Sequence, residues 1–247
     1  GGVVVFPHLS LQVCGQHAAA AVHACLDSGA ERVLVIGVLH ALTEELEDAR
    51  VRVANGGDPS GESSWGIQGP GLSGRTDWSR EFSLSNFLFL IKQEAARRGV
   101  GCPDLIVRYP YLAGGRPGDL PGIDELSRAA EDAVIVATAD PFHHGIGYGD
   151  APKEALPPDE RGLALARARI EEGLGLLERG DHAGYNQHCV EAKSDARDVG
   201  QVLRHVIGPL TWRVLDLVAE DMSGPYEAPD PTWVAGALIE LVPDTAG

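Results

Sequence analysis

Residues 3–42 read VVVFPHLSLQVCGQHAAAAVHACLDSGAERVLVIGVLHAL. Two apolar, β-branched runs, VVVF and VLVIGV, flank an alanine-rich segment, and each is followed within a few residues by a histidine, His8 and His40. Short apolar runs of this kind are those of strands buried on both faces. The sequence predicts a strand over residues 2–6 stopped by Pro7, a helix over 15–28 closed near Gly29, and a second strand over 32–37. A strand–helix–strand unit of about 35 residues implies parallel pairing through a crossover helix. Parallel strands end on the same edge of a sheet, and ligand sites of open α/β sheets gather at that edge. His8 and His40 are therefore expected on one rim.

The rest of the chain extends this pattern. Residues 50–54, RVRVA, alternate as a strand would. Residues 55–79 are rich in Gly, Ser and Pro and contain Trp65 and Trp78. A loop of that length is usually functional or mobile, so covering a pocket and lying free on the surface are both open to it. A helix is expected over 83–98, capped by Ser83 and ended at Gly99, then a strand over 104–109 and a Pro/Gly loop over 110–121. A helix over 123–131 precedes a strand over 133–138, which runs into ADPFHHGIGYGD. Residues 159–179 and 181–207 read as helical, the latter in two pieces, and 211–219 and 232–242 as late strands. No repeat or linker interrupts this order. Residues 1–247 are read as a single α/β domain with a central, mostly parallel or mixed sheet and helices on both faces.

Composition narrows the partners. Lys and Arg number 20 against 36 Asp and Glu, so the formal net charge is 20 − 36 = −16. Nucleic acids and anionic membranes both need a cationic face, and neither is expected as a partner. The four cysteines, Cys14, Cys25, Cys102 and Cys189, form no CxxC pair and suit a cytoplasmic protein with reduced thiols. GGVVVFPHLS lacks the regions of a signal peptide, and no apolar run nears the roughly 20 residues of a membrane span. The GGRPG at 114–118 is a turn rather than a phosphate loop, since no Lys-Ser/Thr pair follows. Cys14 lacks the surroundings of a nucleophile, and His17 and His23 read as packing or surface residues.

The strand over 133–138 also ends in polar residues, Asp140, His143 and His144. A lone buried histidine is usually structural, but here three strand ends deliver one. Neutral imidazole serves equally as metal ligand and general base. Two imidazoles alone leave a divalent ion under-neutralised, which calls for a carboxylate or thiolate. Residues 185–208 offer Cys189, Glu191, Asp195 and Asp198, and the residues themselves do not choose among them.

Five segments, in order and spanning nearly the whole chain, resemble the Memo-like branch of the LigB superfamily, the class III extradiol dioxygenase fold. They are PHLSLQVCG, VLVIGVLH, REFSLSNFLFL, VIVATADPFHHG and DPTWVAGAL. The resemblance implies that His8 and His40 are metal ligands. It also implies that His143 is an acid/base, with Asp140 orienting it or another group behind the ligands and His144 a weaker substitute. Memo-like proteins often place a cysteine third, but a gapless match puts Ser194 there. Ring-cleaving members use a carboxylate followed two residues later by Arg, a relation that Asp195 and Arg197 reproduce. Asp195 is the expected third ligand, with Glu191 and then Cys189 as alternatives. Phe82 and Ser85 stand where the pattern usually has His and Glu. Two histidines and a carboxylate suit Fe(II), with Cu, Zn and Mn as alternatives. The implied activity is a dioxygenase joining O2 to a small catechol, aminophenol or related natural-product intermediate. A Memo-like metal-binding protein without ring cleavage, in a redox or partner-binding role, is the alternative. Many relatives self-associate, and nothing in this chain fixes the interface of a homo-oligomer.

Overall fold

The apolar runs build one mixed sheet. The computed structural model describes residues 2–72 and 77–244. Strands β1 (Val3–Phe6), β2 (Arg32–Ile36), β4 (Asp104–Tyr111) and β5 (Val134–Thr138) lie parallel in the order β4-β2-β5-β1. The short β3 (Gly66–Gln68) adds antiparallel to β4. On the far side, β8 (Thr232–Pro243) runs antiparallel to β1 and to the long β7 (Leu210–Asp221). β1 and β2 point the same way as expected, but they do not pair, because β5 is inserted between them.

Alternation along β2 splits the core. Leu34 and Ile36 join a cluster with residues of α4 (Ile123–Glu131), α5 (Glu160–Glu178), α6 (His182–Glu191) and α7 (Arg197–Ile207). Val33 and Val35 face α1 (Leu11–Asp27), α2 (Glu44–Ala54) and α3 (Ser85–Arg98). Helices thus cover both faces. In α1 the buried Cys14, Ala18, Ala21, Val22 and Cys25 recur at helical spacing, so its apolar stripe is narrow and lined by small residues.

Two expectations fail for physical reasons. RVRVA is the last turn and a half of α2, not a strand. Thr43 Oγ1 accepts the Leu46 N–H at 3.3 Å, three glutamates occupy the first turn, and Ala49 and Val53 are buried four residues apart. The two-residue alternation was a by-product of arginines on the wet side. Ser83 does not cap α3 but donates its hydroxyl to the Val38 carbonyl at 2.9 Å, tying the helix entry to the segment before His40. Gly99 does close α3, in the left-handed conformation (φ 68°). Part of the 55–79 loop is structured. It carries β3, and Trp65 and Trp78 pack on the core; residues 73–76 lie outside the described residues.

The segment after β5 does most to position the site. β7 occupies one edge of β8 along its full length. On the other edge β8 pairs first with a further strand, β6 (Phe142–Gly145), and then with β1. β6 and β1 therefore lie end to end, and residues 139–141 pass over the C-terminal end of β1. There the Ala139 N–H meets the Phe6 carbonyl at 3.1 Å. β8 comes close enough beneath this crossing that a Cβ on Gly236 would lie 2.3 Å from Pro7 Cβ and 3.2 Å from Asp140 Oδ1. Gly236→Ala is expected to destabilise the fold by about 1–3 kcal/mol through overpacking and to weaken metal uptake by displacing the His8 segment. Thermal unfolding and metal titration of the variant measure both.

Candidate metal centre

His8 follows β1, His40 follows β2, and Asp195 stands in the short connection between α6 and α7. That connection is aimed by a helix-terminating turn. Ser194 N–H bonds the Cys189 carbonyl at 2.8 Å and Lys193 N–H the Val190 carbonyl at 3.2 Å, with Lys193 in the left-handed region (φ 53°). Lys193 is held there by an ion pair with Asp150.

The three side chains converge. Asp195 Oδ2 lies 3.2 Å from His8 Nε2 and 4.0 Å from His40 Nε2. The two rings stand edge-to-face with centroids 5.2 Å apart. One donor atom from each residue falls within 4.8 Å of the others. Ligands at about 2.0–2.3 Å from a shared ion lie roughly 3–4 Å apart, so a shift of under about 1 Å closes the set.

Hydrogen bonding fixes which ring nitrogens are free. Thr138 Oγ1 donates its only proton to the Phe6 carbonyl at 2.8 Å, so it must accept from His8 Nδ1–H at 3.2 Å. His40 Nδ1–H donates to Glu81 Oε1 at 2.9 Å. In both rings Nε2 keeps its lone pair, and both Nε2 atoms face Asp195. Ring orientation by a group behind the ligand is usual for metal-binding histidines. The donor set fits a divalent ion, and its identity is not indicated by these residues.

Glu81 was not among the expected site residues, although it lies within the quoted REFSLSNFLFL. Its side chain is fully enclosed. It accepts from the His40 ring, from His40 N–H at 2.6 Å, and from the Phe82 and Ser83 N–H groups at 2.7 and 2.8 Å. Burial pushes its carboxyl upward, but these hydrogen bonds outweigh it and hold the group below the usual range. A glutamate directly before a helix entry that must meet a histidine loop was the available signal. Glu81→Gln is expected to lower metal affinity about 10–100-fold without removing a ligand, which isothermal titration with Zn(II) measures.

Asp140 takes a different place from the one expected. It contacts His8, not His143. Its Oδ1 accepts the His8 backbone N–H at 3.2 Å, and Oδ2 lies 3.5 Å from His8 Nε2. Its own N–H donates to Asp195 Oδ1 at 2.7 Å, linking the two carboxylate segments. Burial, with Asp195 alongside, raises the Asp140 carboxyl above its ordinary range despite His8. Burial also works against ionised Asp195, but His8 wins and keeps it below its ordinary range. Burial disfavours charge on His8 as well; the Asp140 and Asp195 carboxylates outweigh this and raise its pKa to about 9.

His8 thus carries a proton at neutral pH in the metal-free chain, and a metal must displace it. Apparent metal affinity is expected to rise by about tenfold per pH unit up to about pH 9 and then level off. The folded value lies above the unfolded 6.5, so the His8 contribution to metal-free stability is full below 6.5. It fades as pH rises through about 9. Metal titrations and unfolding of the metal-free protein at pH 6.5 and 9.5 check both.

No family model matches this chain, and no curated protein matches it.

The remaining expected residues fall apart by role. Burial depresses the His143 pKa to about 4, so the ring is neutral; its Nδ1 is enclosed and has no hydrogen-bond partner. Its charge is felt by Asp195. His144, on the opposite face of β6, is fully committed. Its Nδ1–H reaches Asp150 at 2.8 Å, and its Nε2 accepts the Leu156 N–H at 3.0 Å. Cys189 lies in the apolar interior among α5, α6 and α7, with burial pushing its thiol up to about 12, and Glu191 is exposed at the end of α6. Neither belongs to the cluster. Cys14 donates its thiol to the Leu9 carbonyl, and His17 pairs with Asp216 on β7 at 2.9 Å, both as packing groups. Among the described residues, no helix is long and apolar enough to cross a membrane.

Proposed function

We propose that this protein is a non-haem Fe(II)-dependent dioxygenase of the class III extradiol type, acting with O2 on a small catechol, aminophenol or related aromatic. The observation that carries this reading is the convergence of His8, His40 and Asp195 beside the neutral, unpartnered imidazole of His143. Iron held by two histidines and one carboxylate keeps positions open and provides a path for electrons from an aromatic diol to dioxygen.

The chain's own groups do the rest. Thr138 and Glu81 hold the two ligand rings with Nε2 turned inward. Asp195 supplies the negative charge. His143, neutral and with Nδ1 open, is placed to take the substrate's hydroxyl proton and later return it. The Phe82 ring stacks on His40 at 4.6 Å and 12°, covering the metal-side face of that histidine from water. The carboxylate in the third position, with Cys189 in dry packing, favours this reading over a thiolate-bearing metal-binding protein of the Memo-like kind.

The test is anaerobic loading with Fe(II) followed by oxygen uptake with a panel of catechols and aminophenols. Oxygen consumption and a substrate-induced change in the iron spectrum are expected. Metal uptake with neither signal would overturn the dioxygenase reading and leave the metal-binding role without ring cleavage.

A further inference from the structure

A cleft of about 150 Å³ opens beside the candidate metal centre and shares His40 and Asp195 with it. Its other charged walls are Glu47, Arg50, Arg197 and Asp198. Three of these are committed elsewhere. Arg50 donates from Nε and Nη2 to the two Glu47 carboxylate oxygens at 2.9 and 2.8 Å. Asp198 accepts the backbone N–H groups of Leu112 and Ala113 at 3.2 and 2.8 Å.

Arg197 is the exception. It is only 8% exposed, yet its guanidinium makes no hydrogen bond to any described residue, and its one ion pair is a long one, 3.9 Å to Asp198 Oδ2. Burying a guanidinium without satisfying its donors is costly. Its planar fork of N–H groups matches a carboxylate, which accepts two of them side by side. Once a cation engages Asp195, Arg197 is the uncompensated charge left in the cleft.

We propose that Arg197 is a specificity-determining residue and that the cleft is the subsite for a carboxylate carried by the aromatic substrate. The substrate class is then a catechol or aminophenol acid, its ring oxygens directed at the metal centre and its carboxylate at Arg197. This rests on the metal-dependent reading above.

The experiment uses Zn(II)-loaded protein, in which binding is measured without turnover. Calorimetry compares catechol, 3,4-dihydroxybenzoate, 3,4-dihydroxyphenylacetate and the methyl esters of both acids. At least one acid is expected to bind about tenfold or more tightly than catechol and than its own ester, as a charge-assisted pair provides. Arg197→Met should abolish that preference and Arg197→Lys should keep part of it. Equal binding of acids, esters and catechol by the unmodified protein overturns the proposal, with no variant needed. So does a preference that survives in an Arg197→Met protein taking up Zn(II) normally. Failure of Zn(II) uptake would sink the metal-dependent reading and this one together. Uptake and catechol binding without a preference for acids sinks only the subsite.

Discussion

Asp195→Asn is expected to weaken divalent metal uptake by more than about a hundredfold, beyond what losing a group behind a ligand costs. The substitution is nearly isosteric. An asparagine Oδ1 still accepts the Asp140 N–H that Asp195 Oδ1 holds at 2.7 Å, so the α6–α7 connection keeps its anchor. What disappears is the negative charge facing both Nε2 atoms, and a neutral amide is a poor ligand for a borderline cation. Glu191→Gln and Cys189→Ser should leave uptake unchanged, because neither side chain reaches the cluster. Loss of uptake in either, with Asp195→Asn unaffected, would move the third ligand and undo the site.

His143→Gln is expected to reduce turnover about 10²–10⁴-fold, the range for removing a positioned proton-transfer group, while metal affinity stays at the wild-type level. The fold has little to lose there. The ring makes an edge contact with Tyr148 at 5.0 Å and leaves Nδ1 without a partner. The strand is held through the backbone, by His143 N–H to the Ala192 carbonyl at 3.1 Å and by pairing with β8. Oxygen-uptake rates at saturating iron, beside iron titrations of the same protein, separate the two effects. An equal fall in both would make His143 a ligand instead of an acid/base.

The rim was legible because it depends on chain direction alone. Apolar runs that end in histidine place those histidines at the carboxyl ends of strands, and parallel strands share that edge. What surrounds the rim depends on neighbours that periodicity does not reveal. The insertion of β5 between β1 and β2 is a pairing choice between strands about equally apolar. β6 reads as a polar loop because its residues, FHHG, face a site on one side and Trp233 on the other. Asp140 was expected behind His143 because they are near in sequence. A crossing over β1 instead turns it toward His8, 132 positions away. Glu81 escaped notice because its partner is 41 residues distant and its value lies in four hydrogen bonds that only the folded α3 entry assembles. Local alternation misled at RVRVA, where arginine placement imitates a strand inside a well-capped helix.

The end-to-end seating of β1 and β6 along a single edge of β8 bears on how the cell would metallate this protein. Every donor and every group that orients one is translated before residue 232, yet the strand that aligns the His8 and Asp140 segments emerges from the ribosome after all of them. A nascent chain would present three separate ligands on flexible polymer, with no preformed cage to compete against cellular buffers. Ion loading therefore belongs after release and folding, where the finished scaffold, rather than the order of synthesis, selects the metal.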